Sequence, residues 1–278
     1  MIVLAAHGTR DPAGAWVIEE LAERVRARSR GIEVRVAYAD VRAPDVTSVL
    51  AGVRDRGVVV VPAFLAAGYH VRVDIPSQVA ASGHPDVTIA RLFGPAPELV
   101  GATAERLTAA GYRCGDSVVL AAAGSHDPQA LSDVRAAARA LAVRLGTPVR
   151  VGYAATASPT VADAVDQARG RVAVASWLLA PGLFQRRVAD SGADVVTTPL
   201  GTHPAAADLV LRRYAAAVRT SRAASVAATR SGPDHTDVGE AAAGGEPLGF
   251  GLGELTRGRV KCLKRTDGEV ETLAAIGF

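Results

Sequence analysis

The feature that most constrains this chain is an alternation of short β-branched runs with amphipathic stretches. It runs through once and then begins again. Ile2 to Ala6 is an unbroken apolar run, the pattern of a strand buried on both faces of a parallel sheet. His7-Gly8-Thr9-Arg10-Asp11-Pro12 follows. Gly8 permits a tight turn, and Asp11-Pro12 supplies a cap and a first helical residue. Ile18, Leu21, Ala22 and Val25 then recur at helical spacing, and Gly31 ends the stretch. Val34 to Ala39 is a second strand with Asp40 at its carboxyl end, and Pro44-Asp45 opens a second helix. Val58 to Val61 is a third strand, stopped at Pro62 and followed by a small-residue loop ending in Tyr69-His70. A helix through Ser77 to Ala81, a strand at Val87 to Leu92 and a helix around Glu98 to Ala110 complete the set. This order predicts a parallel, three-layer α/β domain with right-handed crossovers.

The second round starts at Val118 to Ala122. Ala123-Gly124-Ser125-His126-Asp127-Pro128 echoes the segment from Ala6 to Pro12, with Gly and Asp-Pro in matching places. A long helix to Leu145, a strand at Val149 to Tyr153 and a strand at Val172 to Trp177 follow. Leu178 to Phe184 echoes Phe64 to His70, and Pro199-Leu200-Gly201 echoes Leu92-Phe93-Gly94. The chain reads as an internal duplication: a half over residues 1–113, a degenerate half over 114–221, and a linker and tail over 222–278. The tail is rich in Ala, Gly, Ser and Pro. It holds one hairpin signal, Asp267-Gly268 between alternating runs at Arg259 to Leu273.

The difference between the halves separates folding residues from functional ones. His7 aligns with Ala123 and His70 with Phe184. The second half keeps the backbone signals and loses both imidazoles. Histidines needed for folding would be needed twice. In open α/β sheets, ligands sit at the carboxyl ends of strands. His7, Asp40 and His70 follow three strands there, and two imidazoles with a carboxylate suit a divalent first-row metal.

Bulk properties exclude several classes. A net charge of +3 without basic runs interleaved with aromatics gives no case for nucleic acid. No uncharged apolar stretch is long enough to span a membrane. The short N-terminal apolar run reads as a strand rather than a signal peptide. Cys114 and Cys262 support neither a disulfide framework nor a cysteine-rich metal site, and suit a reducing cytoplasm.

His7-Gly8-Thr9-Arg10-Asp11-Pro12, Ala37-Tyr38-x-Asp40-x-x-x-Pro44 and Phe64-Leu65-x-x-Gly68-x-His70-x-x-x-Asp74-Ile75-Pro76 together resemble the class II sirohydrochlorin chelatases. The resemblance covers residues 1 to about 220 and leaves the tail out. It implies two flavodoxin-like halves with a tetrapyrrole in the cleft between them. It implies insertion of Fe2+ or Co2+ into sirohydrochlorin without a nucleotide, in siroheme or cobalamin synthesis. His7 is then metal ligand and proton acceptor, His70 the second ligand, and Leu65, Ala66, Ala67, Gly68 and Tyr69 line the macrocycle. The family often has Glu where this chain has Asp40, so proton relay and indirect support stand beside direct ligation there. Sirohydrochlorin carries many carboxylates, which makes Arg10 and Arg72 candidate contacts unless Asp11 or Asp74 pairs with them. The implied state is a monomer or homodimer.

Two other readings compete. A histidine phosphatase needs Arg directly before its histidine, and Ala6 stands there. A metal carrier would use the same two imidazoles without turning over a tetrapyrrole.

Overall fold

The computed structural model describes residues 1–230, with side chains as far as residue 223. Each half holds four parallel strands in one sheet. In the first half, β1 (Ile2–Ala6), β2 (Val34–Tyr38), β3 (Val58–Pro62) and β4 (Val87–Ile89) lie in the order β2-β1-β3-β4. In the second, β5 (Ser117–Ala122), β6 (Val149–Tyr153), β7 (Val172–Trp177) and β8 (Val195–Val196) repeat it as β6-β5-β7-β8. The register repeats too: Ala5 pairs with Pro62, and Ala121 with Ser176.

The helices are α1 (Pro12–Arg28), α2 (Val46–Ala51), α3 (Ile75–Ala81), α4 (Pro97–Ala109), α5 (Pro128–Leu145), α6 (Val161–Asp166), α7 (Leu183–Ala189) and α8 (Pro204–Arg230). Asp11 and Asp127 cap α1 and α5 as their Asp-Pro pairs foretell, each accepting the N–H two residues on. Helix α6 begins with a capping box between Thr160 and Asp163, a sequence signal the periodic reading passes over. Strand β8 is too short to leave a period-2 pattern.

The inner faces of both sheets share one core, which takes in Leu4, Leu21, Leu99, Leu120, Leu141 and Leu209. The outer face of each sheet has a smaller core of its own, under α2 and α3 in the first half and α6 and α7 in the second. The last helix of each half crosses over. Helix α4 packs on α5 and β7 of the second half, and α8 packs on α1, β3 and β4 of the first.

Three boundaries differ from the sequence reading. The fourth strand ends at Ile89 rather than Leu92, because Phe93 turns back to donate its N–H to Phe64. His70 begins a π-helical turn, His70–Asp74, that runs into α3 instead of ending a loop. Helix α8 continues to Arg230, past the Arg222 at which composition suggests a linker; its Ala and Arg are strong helix formers. Cys262 and the hairpin signal lie outside the described residues. Among the described residues, no helix is long and apolar enough to cross a membrane.

Candidate functional site

Two turns carry the site. The first leaves β1 through His7 and Gly8. Gly8 sits at φ +93, and a Cβ there would lie 2.1 Å from the Asp40 carbonyl oxygen. Only glycine lets the turn after β1 press against the turn after β2. Asp40 then donates its N–H to the His7 carbonyl. The second turn leaves β3 and crosses Phe64 to Tyr69 before His70. Gly94 allows this loop to pack against the next one, since a Cβ there would lie 2.0 Å from the Leu65 carbonyl oxygen.

These turns bring the two imidazoles together. The ring centroids of His7 and His70 are 4.4 Å apart in an edge-on arrangement, with interplanar angle 76°. Phe64 stands behind both, 6.4 Å from His7 and 6.3 Å from His70. His7 is exposed and the side chain of His70 is 29% exposed, so the pair is open to solvent.

Each ring is held through the same nitrogen. His7 Nδ1 lies 2.9 Å from the Gly8 carbonyl oxygen, and His70 Nδ1 lies 2.6 Å from Asp74 Oδ2. A carbonyl and a carboxylate can only accept, so Nδ1 carries the proton in both rings. In a neutral imidazole that leaves the Nε2 lone pair free for a metal. A ligating histidine is commonly oriented in this way by a carboxylate or a carbonyl. Asp74 lies four residues after His70 in one helical run, which is why the two side chains meet. Treating residues 70–74 as loop hid that spacing.

The other candidates are placed as follows. Asp40 is exposed, and its Oδ1 accepts the Val41 N–H at 2.7 Å. Among the described residues, no three His, Cys, Asp or Glu side chains are grouped to hold a metal ion. The structure therefore joins His7 to His70 and leaves Asp40 beside them, turned to its own backbone. Arg10 is exposed, with no hydrogen bond or ion pair among the described residues. Arg72 pairs with Asp127 of the second half at 3.0 Å, not with Asp74. Asp11 pairs with Arg186 at 2.9 Å, not with Arg10. Leu65, Ala66, Ala67 and Gly68 are half-buried and Tyr69 is 63% exposed. Ala67 donates its N–H to Asp133 of the second half at 2.9 Å. The loop before His70 thus lines the junction of the halves.

In the second half the matching positions are apolar: Ala123, Leu183 and Phe184, the last two exposed. The imidazoles therefore stand on the first half only.

Comparison with known proteins agrees with this layout. The CbiX family model matches residues 1–110 and again 117–217. A sirohydrochlorin cobaltochelatase of Methanococcus maripaludis is 37% identical over 78 residues, 27% of this chain and 54% of that protein. One of Methanopyrus kandleri is 36% identical over 81 residues, 28% of this chain and 57% of that protein. The chain thus spans little more than half the length of these curated relatives. A solved CbiX, described as the terminal enzyme for biosynthesis of siroheme in denitrifying bacteria, is 26% identical with TM-score 0.63, over 78% of this chain and 98% of the other. Bacillus subtilis SirB, solved with Fe3+, shares the fold at TM-score 0.64 and 22% identity, over 80% of this chain and 96% of SirB. Both halves match the model and both fold alike, so the chain belongs to the CbiX family of sirohydrochlorin chelatases.

Proposed function

We propose that this protein inserts a divalent metal, Fe2+ or Co2+, into sirohydrochlorin without using a nucleotide. The observation that carries the reading is the edge-on His7–His70 pair, 4.4 Å between ring centroids, with Nδ1 of each ring already engaged. Two neutral imidazoles offer an ion a pair of nitrogens and no closed cage. Structural metal sites are closed, and sites that act on their metal keep positions open. An ion held by two ligands can exchange them one at a time for pyrrole nitrogens.

Insertion also releases two pyrrole protons. An imidazole that has given up the metal is a base placed at the reacting centre. His7 suits this, because it is the more exposed of the pair and is held only by a neutral carbonyl. His70, tied to the Asp74 carboxylate, suits the retained ligand. Asp40, exposed just after β2, suits passing protons outward better than binding the ion.

A metal carrier would use the same imidazoles. The named curated relatives are cobaltochelatases, which favours turnover over carriage. The test is anaerobic spectral titration of sirohydrochlorin with Fe2+ or Co2+ and catalytic amounts of protein. Insertion faster than in buffer, for either metal, is the expected result. Stoichiometric metal binding without acceleration would establish the carrier instead. Running both metals in competition ranks iron against cobalt.

A further inference from the structure

Two of the ion pairs that tie the halves together are copies of one another. Arg72 donates from Nη1 to Asp127 Oδ2 at 3.0 Å, and Arg186 donates from Nη1 to Asp11 Oδ2 at 2.9 Å. Arg72 comes two residues after His70, and Arg186 two residues after Phe184, its counterpart. Asp11 and Asp127 open the two Asp-Pro pairs. Each half therefore offers an arginine to the other half's aspartate. This is the reciprocal contact of a two-fold interface, here inside one chain.

Each aspartate divides its oxygens between two tasks. Oδ1 caps its helix, accepting from Ala13 at 3.0 Å or Gln129 at 2.8 Å. Oδ2 receives the arginine. The caps would persist if the arginines left. The arginine side chains are 57% and 64% exposed, and exposed ion pairs are weak, so another carboxylate can replace the aspartate at little cost. A guanidinium has five N–H donors in a planar fork suited to carboxylates.

The imidazoles are confined to the first half, but the arginines are not. A flat macrocycle bound over His7 and His70 would meet one guanidinium on the turn that carries His70. It would meet the other on the second half, beside the turn that carries His7.

We propose that Arg72 and Arg186 are paired receivers for the carboxylates of the tetrapyrrole, held in the free protein by Asp127 and Asp11 and passed to the substrate as it enters. This rests on the chelatase reading of the cleft. It assigns the second half a binding task that its loss of histidine does not touch. It also gives both Asp-Pro pairs a reason to persist.

The test is equilibrium titration of the metal-free, full-length protein with sirohydrochlorin, followed by fluorescence, so that no turnover is involved. Arg72→Ala and Arg186→Ala should each weaken binding roughly tenfold, the loss of one charge-assisted contact, and flatten the salt dependence. Asp11→Asn and Asp127→Asn keep a capping oxygen, because Asn caps as well as Asp. They remove the competing charge and should tighten binding several-fold. Thermal melts of all four variants report whether the fold is intact. Unchanged or weaker binding by the Asn variants overturns the exchange, as does unchanged binding by the Ala variants. No binding by the unaltered protein overturns the chelatase reading itself, an outcome distinct from either.

Discussion

At the scale of single residues, the site depends on which ring nitrogen is left free. On the proposed chelatase reading, His7→Ala and His70→Ala each remove one of the two ligands. Either should reduce metal insertion by at least ~100-fold, the scale at which removing a general base or a metal's orienting partner is felt. The far-ultraviolet circular dichroism should stay as it is, because neither ring is a core side chain. Asp74→Asn is the subtler change. An amide can present its NH2 to His70 Nδ1, which favours the other tautomer and moves the proton onto Nε2. Metal affinity, read by competition with a chromogenic chelator, should fall about 10–100-fold. Ala123→His should alter turnover little, since Phe184 offers no second imidazole beside it.

At the scale of elements, the site is only as good as the turns that hold it. Gly8 and Gly94 are the pressure points, because a Cβ at either would overlap a carbonyl oxygen of the adjoining turn. Gly8→Ala also places alanine at positive φ, a strain of about 1–3 kcal/mol before the overlap is counted. Its melting temperature should drop, and insertion should fall further than stability alone explains, because His7 follows the displaced turn. Helix α2 supplies a contrasting case away from the pocket. Hydrogen bonds from Ser48 hold the Asp45 carboxyl below its usual 3.8. A depressed carboxylate stabilises the fold above its unfolded value, and that contribution is lost as pH falls through the lower folded value. Asp45→Ala should therefore cost about 1 kcal/mol near neutrality, as loss of an N-cap does. The gap to the unaltered protein should narrow as the medium is acidified below pH 3.8, which chemical denaturation at a series of pH values would check.

At the scale of the whole molecule, neither half is closed without the other. Helix α4 belongs in sequence to the first half and covers the second sheet, while α8 covers the first. A fragment of residues 1–113 would expose the inner face of its sheet, including Leu4 and Val61, both fully buried in the intact chain. It should not be a folded monomer. By the reciprocity of the contacts, two copies can exchange α4 and form a dimer. Size-exclusion chromatography with light scattering distinguishes these outcomes, and a folded monomer would mean the crossed helices are dispensable.

The sequence alone determined the succession of strands and helices in each half, the duplication, and the two imidazoles that set the halves apart, because these rest on local signals. Apolar runs mark strands, Asp-Pro marks helix starts, and a repeat that lacks two histidines singles out His7 and His70. The tertiary structure decided what depends on distant partners. Arg72 and Asp11 looked like members of local pairs with Asp74 and Asp11's neighbour Arg10; folding gave each a partner from the other half. Asp74 became the support of His70 only because the chain is helical from residue 70. The exchange of α4 and α8 has no local signature at all. An amphipathic helix records in its sequence that it must cover an apolar face, and nothing in that pattern says which sheet will provide it.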